Sequence, residues 1–420
     1  MEYRTYTTGD GTKLYIIHSK AYTHTYIDYN FYWRSGKDNA SKALVNKILM
    51  QGCRKYPTLQ SISMATDREF GARIQNKVAK VGDVHESGFI IDVLTSENLT
   101  KGQKTLENMV ALLGETIGWP LICGGSFNED YFRMAKSDLE IKIQTSNVNK
   151  NYVAKTNFMR KAIDDTAFNH PASGTEEEVK ALEMKDAFVS YLMMLEFSPR
   201  KAFIATNLDP DYVAGLFDFR LPIVREQIFI SEPPKKNPSS VTEDESQFDQ
   251  CMVYVAFPVE KQEELKEREA FNLLNFCVGG YSEARLFTEI RTKRDMAYGA
   301  YSSYDDNVGL VIGSAGVDIR HKGKTIDIML KEFRKAAEGK VSKSHFEKSK
   351  RFLLNLRQMG MHSKVDRLDF LERCVLKDKL DRTYDYETAF HDVTHDDVVK
   401  ASAFISEGPI VYSLLQEQKK

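Results

Sequence analysis

The stretch from Gly279 to Asp306, GGYSEARLFTEIRTKRDMAYGAYSSYDD, carries two side chains that could act together on a peptide group. Arg291 could bind a carbonyl or a carboxylate through its forked guanidinium, and Tyr298 could donate a hydrogen bond to an oxyanion. The other interpretation is structural. In that case Arg291 caps helix carbonyls and Tyr298 packs in a core. Residue type and spacing alone leave both interpretations open.

A turn, a short helix and a strand must position this pair. Gly279 and Gly280 predict a sharp turn, and Ser282 is a plausible helix N-cap. The apolar residues before Arg291 fall at helical spacing, which predicts a buried stripe: Ala284, Leu286, Phe287 and Ile290. The residues after it alternate, which predicts that four of them share one strand face: Tyr298, Ala300, Ser302 and Tyr304.

Composition limits the class of protein. A chain of 420 residues with 42% hydrophobic residues predicts two or more domains with substantial cores. The net charge of −2 gives no electrostatic signal for nucleic-acid binding, and no apolar run of about 18 residues predicts a membrane span. Five scattered cysteines and the absence of a visible secretory signal lead us to expect a reduced, cytoplasmic protein.

The two halves of the chain resemble each other. YFRMAKSDLEIKIQ, from Tyr131, parallels HFEKSKRFLLNLRQ, from His345, and residues 231–247 between the halves are rich in Pro, Ser and charge. This order predicts a duplicated α+β unit. We expect an N-terminal domain over 1–230, a linker over 231–247 and a C-terminal domain over 248–420. Each would be an α/β sandwich with helices on one face of a sheet, together forming half of a clamshell.

Hydrophobic patterns predict individual elements within this frame. Strands are expected at Thr25–Trp33 and Cys251–Phe257, and helices at Ala40–Met50, Phe127–Ile143 and Glu176–Leu195.

A second candidate for chemistry is the pair His391 and His395 in HDVTHDD. Two histidines four residues apart on a helix could bind a metal, which would suit an independent hydrolase. Thr394 followed by Asp396 and Asp397 instead predicts a helix start, with the histidines on either side of the cap. We favour the helix start.

The segment GGYSEARLFTEIRTKRDMAYGAYSS closely resembles the C-terminal signature of the insulinase/pitrilysin-like zinc peptidases, in their short bacterial processing-peptidase branch. That signature combines a Gly-Gly turn, Ser-x-x-x-Leu-Phe, Ile-Arg and a Tyr seven residues after the Arg. The resemblance covers essentially the whole chain. It implies that Arg291 and Tyr298 bind substrate and transition state.

The resemblance fails at the zinc site. The family's His-x-x-Glu-His falls on the helix at Ala40–Gln51. There Ala43 stands at the first His, Asn46 at the catalytic Glu and Lys47 at the second His. Near the two acidic positions of the distal helix stand Ala135 and Lys142, and Asp138 and Glu140 leave a second register open. One carboxylate would not replace three missing ligands. No metal is therefore expected on this chain, because an ammonium repels a dication.

Within the family, this pattern is similar to the non-catalytic subunit of a heterodimeric metallopeptidase, inactive alone. The implied partners are a homologous zinc-bearing subunit and a peptide substrate, such as a leader peptide or small oligopeptides. Zinc would be the partner's cofactor. The alternative is a purely structural or peptide-binding homologue with no catalytic duty.

Overall fold

The computed structural model describes residues 1–95, 99, 103–380 and 389–417. The chain forms two compact units. The first contains residues 1–145, 170–230 and 362–380, and the second contains 146–169, 231–361 and the described residues beyond 388. Residues 146–169 and 362–380 therefore lie outside the halves to which the sequence division assigns them.

The first unit is built on a six-stranded sheet in the order β1-β2-β8-β3-β5-β4. β2 and β8 run parallel, while β3 pairs antiparallel with β5 along eleven residue pairs from His24↔Leu94 to Arg34↔Val84. A two-stranded hairpin, β6-β7, accompanies it. The strands are β1 Arg4–Thr7, β2 Lys13–His18, β3 His24–Arg34, β4 Arg73–Val81, β5 Val84–Leu94, β6 Ile122–Cys123, β7 Ser126–Phe127 and β8 Arg200–Thr206.

Helices cover one face of this sheet. Alternate side chains of β3 are apolar and face these helices. Ile27, Tyr29 and Phe31 point into a core shared with the helices. The helices are α1 Asn39–Leu49, α2 Leu59–Arg68, α3 Thr105–Gly118, α4 Glu129–Asn147, α7 Glu176–Ala181, α8 Met184–Phe197 and α9 Pro210–Ala214. The single helix predicted over Glu176–Leu195 is wrong. Leu182 is extended and the backbone N–H of Glu183 bonds Asp186, which starts a new helix.

The opposite face of the first sheet is also covered. Helix α14, Lys364–Leu376, packs Leu368, Leu371 and Val375 against Tyr32 and Phe203. The predicted α+β class is confirmed, but helices lie on both faces rather than on one. The periodicity of α14 shows that it has a buried side. It does not show which sheet that side covers.

The second unit has a five-stranded sheet in the order β11-β12-β10-β13-β9. Its strands are β9 Val241–Asp244, β10 Cys251–Pro258, β11 Ala297–Asp305, β12 Leu310–Val317 and β13 Ile410–Leu414. β9 corrects the linker prediction, because residues 241–244 pair in parallel with β13 as an edge strand. The exposed and charged residues of β9 are typical of an edge strand. The same residues give the segment the composition of a linker.

Two layers of helices also enclose the second sheet. On one face Val253 and Val255 pack with α10 and α12, and on the other Tyr254 stacks on Phe158 of α5 at 5.1 Å between ring centroids. The helices are α5 Lys150–Ala162, α6 Thr166–Asn169, α10 Leu265–Gly279, α11 Arg285–Phe287, α12 Lys322–Ala337, α13 Lys343–His362 and α15 His395–Ala401, with a π-helical turn at Thr288–Thr292 and 3-10 turns at Ile319–His321 and Ser402–Phe404.

Equivalent lysines in the two long helices make the same contacts. Lys136 of α4 donates to the carbonyls of Lys180 and Leu182 at 2.8 and 2.9 Å. Lys350, at the same place in the α13 sequence, donates to the carbonyls of His391 and Val393, both at 2.7 Å. In each unit the ammonium thus holds the segment that precedes a later helix, α8 in the first unit and α15 in the second. A duplicated unit predicts such a shared contact.

Candidate functional site

Arg291 lies in a short helical segment whose start differs from the prediction. The helix α11 has Ala284, not Ser282, at its N-cap, and it continues into the π-helical turn that contains Arg291. Leu286 and Ile290 are fully buried and anchor the segment. The side chain of Arg291 is 39% exposed, and its guanidinium forms an ion pair with the carboxylate of Asp295.

The two glycines before this segment serve close packing rather than an unusual backbone angle. Gly280 has φ −77°, which any residue can adopt. A Cβ added to Gly279 would lie 2.5 Å from the backbone nitrogen of Ser302, and one added to Gly280 would lie 2.2 Å from the Phe276 ring. Their small size lets the end of α10 approach strand β11, which carries Tyr298.

Tyr298 stands at the start of β11, where the pairing with β12 contains a bulge. Ala297 pairs with Val317 and Ala300 pairs with Ala315, so three steps along β11 match two along β12. The extra residue reverses the alternation, because successive side chains point to opposite faces. Tyr298 is therefore 87% exposed while Ala300 is fully buried. The prediction that Tyr298 shares a face with Ala300, Ser302 and Tyr304 is wrong.

The two side chains come together on the surface of the second unit. The guanidinium carbon of Arg291 lies 5.7 Å from the centroid of the Tyr298 ring, within the range of a cation–π contact. Tyr298 is not packed in a core, and the partner of Arg291 is a carboxylate instead of the helix carbonyls. The arrangement leaves the phenol facing solvent beside a cation.

The positions of the zinc motif lie on α1 in the first unit. Ala43 is fully buried and has no donor atom. The side-chain nitrogen of Asn46 donates to the carbonyls of Gly88 at 3.0 Å and Lys77 at 3.3 Å, so the amide serves to fix α1 to the sheet. Desolvation and then the charge of Lys47 lower the pKa of Lys142. Two neighbouring ammonium groups and a methyl group do not fit a zinc ion.

The histidine pair does not form a metal site. The side chain of Thr394 caps α15 through the backbone N–H of Asp397, which confirms the predicted helix start. His395 lies inside that helix, and its Nε2 is 2.7 Å from the Val341 carbonyl. His391 lies before the cap.

The comparisons with known proteins agree on one family. Residues 201–353 match the family model described as the peptidase M16 inactive domain. Over 370 residues the chain is 20% identical to the "probable inactive metalloprotease YmfF" of Bacillus subtilis strain 168. The aligned residues make up 87% of each chain. Over residues 201–353 the chain is similar to the peptidase M16 inactive domain. The resemblance to this peptidase family is therefore confirmed, and both matched descriptions are of inactive members.

Solved structures show the same M16-like fold. A conserved protein from Enterococcus faecalis V583 has a TM-score of 0.88 at 18% identity and covers 100% of this chain and 99% of its own. The peptidase M16 inactive domain from Pseudomonas fluorescens has a TM-score of 0.81 at 15% identity and covers 100% of both chains. The matched family region contains Arg291 and Tyr298 and ends before α13 does.

The M16-like first unit also contains a buried charge cluster that the sequence analysis missed. The ammonium of Lys77 lies 2.7 Å from an oxygen of Asp28, 3.2 Å from one of Glu86 and 3.3 Å from one of Glu372. All three carboxyl groups are at least 94% buried. The sequence did contain a signal for this cluster, because polar residues stand at alternate positions of β3. Asp28 and Asn30 lie on the face of the strand away from Ile27.

Three carboxyl groups around one ammonium leave the cluster short of positive charge. Desolvation, reinforced by the charge of Glu372, raises the pKa of Asp28 to about 6 and that of Glu86 to about 8. Asp28, Asp369 and Glu372 lie close enough to share a metal ion. The Lys77 ammonium already occupies the space between Asp28 and Glu372, so the cluster holds α14 on the sheet.

No helix in the described ranges is both long and apolar enough to cross a bilayer.

Proposed function

We propose that this chain is the non-catalytic, substrate-binding subunit of a heterodimeric zinc metallopeptidase, and that it supplies Arg291 and Tyr298 to its partner's active site. The observation that carries the proposal is the 87% exposed phenol of Tyr298 beside the Arg291 guanidinium. A tyrosine this exposed contributes little to a core, so its retention beside a cation needs another reason.

The missing half of the site would come from a homologous chain with His-x-x-Glu-His. That partner would hold the zinc ion and the general base that together activate water. No step of this kind can be assigned to Ala43, Asn46 and Lys47, because none of them is suited to bind zinc or act as the base. We accordingly expect this chain to be inactive alone.

The roles of the two side chains follow from their donors. Arg291 has five N–H groups in a rigid fork, and those not used by Asp295 can bind a substrate carbonyl next to the scissile bond. Tyr298 would donate its O–H to the oxyanion of the tetrahedral intermediate. A donor in that position is typically worth about 2.7–4 kcal/mol of transition-state stabilisation.

The substrate we propose is a peptide in extended conformation. β11 is the edge of its sheet, and an edge strand can accept an added strand through its free backbone groups. Tyr298 lies at the start of this edge, so a peptide paired there would pass the phenol. We also propose a cytoplasmic, reducing setting, because the five cysteines are scattered through the sequence without a pairing pattern.

The test is the substitution Tyr298→Phe in the co-purified heterodimer. We expect peptide turnover to fall by about 10²–10³-fold, as for loss of an oxyanion donor, while size-exclusion chromatography shows unchanged assembly. Tyr301→Phe is the matched control, since Tyr301 is a half-exposed tyrosine on the same strand, and it should leave turnover unchanged. A purely structural or peptide-binding homologue would be indifferent to Tyr298→Phe, and unchanged turnover would sink the proposed role.

A further inference from the structure

Asp295 occupies a position that is unfavourable for it in two ways. Its backbone has φ +49°, in the left-handed region that favours glycine. Its N–H bonds the Arg291 carbonyl at 2.9 Å, which places the residue at the C-terminal end of the helical segment. A carboxylate there opposes the helix dipole. Both effects disfavour aspartate and favour glycine.

Burial does not compensate for these costs, because the side chain of Asp295 is 82% exposed. Its carboxylate instead contacts the guanidinium of Arg291, four residues earlier. Exposed ion pairs of this kind contribute little to stability. A residue that breaks local rules at a candidate site, for so small a gain in stability, points to a functional role.

The contact has two consequences for Arg291. It fixes the direction of the guanidinium, which lies over the Tyr298 ring with its carbon 5.7 Å from the centroid. It also places a negative charge beside the guanidinium, so that an arriving ligand meets a nearly neutral pair. The N–H groups can still donate to a neutral carbonyl, whereas a second carboxylate would be repelled by Asp295.

We propose that Asp295 is a positioning and specificity-determining residue that makes Arg291 select neutral peptide carbonyls over free carboxylates. The substrate class that follows is an internal peptide segment, and free C-terminal ends are disfavoured. This inference rests on the proposed function of Arg291 in substrate binding. Two carboxylates about 4 Å apart in water repel by about 1 kcal/mol, which corresponds to about fivefold in affinity.

The experiment compares two probes that differ only at the C-terminus: N-acetyl-tetraalanine as the free acid and as the amide. The readout is the side-chain Nε–H resonance of Arg291 in the full-length chain, identified by its loss in Arg291→Lys. Titration at millimolar concentration gives the affinity ratio of acid to amide. Asp295→Asn keeps the tolerance for positive φ and removes the charge.

The matched control is Glu289→Gln. Glu289 lies on the same turn and pairs with Lys293 at 2.5 Å and Arg294 at 2.6 Å, so its substitution removes the same charge without touching the Arg291 pair. We expect Asp295→Asn to raise the acid-to-amide affinity ratio about fivefold, and Glu289→Gln to leave it near the wild-type value.

Two different failures are distinguishable. If both probes shift the Arg291 resonance but Asp295→Asn leaves the ratio unchanged, or Glu289→Gln changes it equally, Asp295 has no selective role and the proposed function stands. If neither probe shifts the resonance in any of these proteins, Arg291 does not bind peptide groups. The proposed function then fails, and the inference fails with it.

Discussion

Among single residues, Glu86 should make the stability of the first unit depend on pH. Its pKa is raised from 4.5 to about 8, first by desolvation, so the folded state keeps a proton that the unfolded chain loses. The stabilisation from this proton is complete below pH 4.5 and is lost as the pH rises through 8. Asp28, raised to about 6, acts in the same direction.

We therefore expect Glu86→Gln to flatten the pH profile. Between pH 5 and pH 8, the free energy of unfolding should fall less in the variant than in the wild type, by on the order of 2 kcal/mol. Urea unfolding at several pH values measures this difference, and comparison of the two proteins cancels the titration of groups outside the charge cluster. A difference that is the same at every pH would show that Glu86 is ionised throughout this range.

Residue types near the candidate site were predictable, but their surroundings were not. Arg291 and Tyr298 were found through their motif. The charge cluster was missed because the partners of Asn30 and Tyr32 include Glu372, about 340 positions later in the chain. His85 is fully buried between Trp33 and the Ala172 carbonyl. Its neighbours along the sequence give a turn-like composition that does not reveal this.

Among the elements, the close approach of α10 to β11 should depend on Gly279. An added methyl group would lie 2.5 Å from the Ser302 nitrogen, and because that atom belongs to the backbone the strand itself would have to move. We expect Gly279→Ala to destabilise the protein by about 1–3 kcal/mol, as overpacking does. The measurement is the shift in the urea unfolding midpoint.

The control for Gly279→Ala is Gly323→Ala. Gly323 lies in the first turn of α12, and an added Cβ there has nothing within 4 Å. Alanine should be neutral or stabilise by up to about 1 kcal/mol through helix propensity. Equal effects of the two substitutions would contradict the packing role given to Gly279.

Element types followed from the sequence more closely than their details. Helices α1 and α4 and strand β10 lie within one to four residues of the predicted bounds. The bulge at Ala297–Ala300 and the π-helical turn at Thr288–Thr292 were not predicted, because each is a one-residue change in a regular pattern that tertiary pairing imposes. The bulge matters most, since it turns Tyr298 outward.

For the whole molecule, the duplicated α+β plan and the peptidase family were predictable. The placement of α5 and α14 was not predictable. α5 follows elements of the first unit in sequence but belongs to the second, and α14 follows elements of the second unit but belongs to the first. Hydrophobic periodicity identifies a buried side without identifying its partner. Contacts between residues far apart in sequence decide that choice.

The proposed division of an active site between two chains predicts a simple pattern of zinc content and activity. The measurement is peptide hydrolysis and bound zinc for this chain alone, for a homologous His-x-x-Glu-His chain alone, and for their mixture. We predict zinc only where the second chain is present, and efficient hydrolysis only in the mixture. Stoichiometric zinc or peptide hydrolysis by this chain alone, or full activity of the second chain without it, would contradict the proposal.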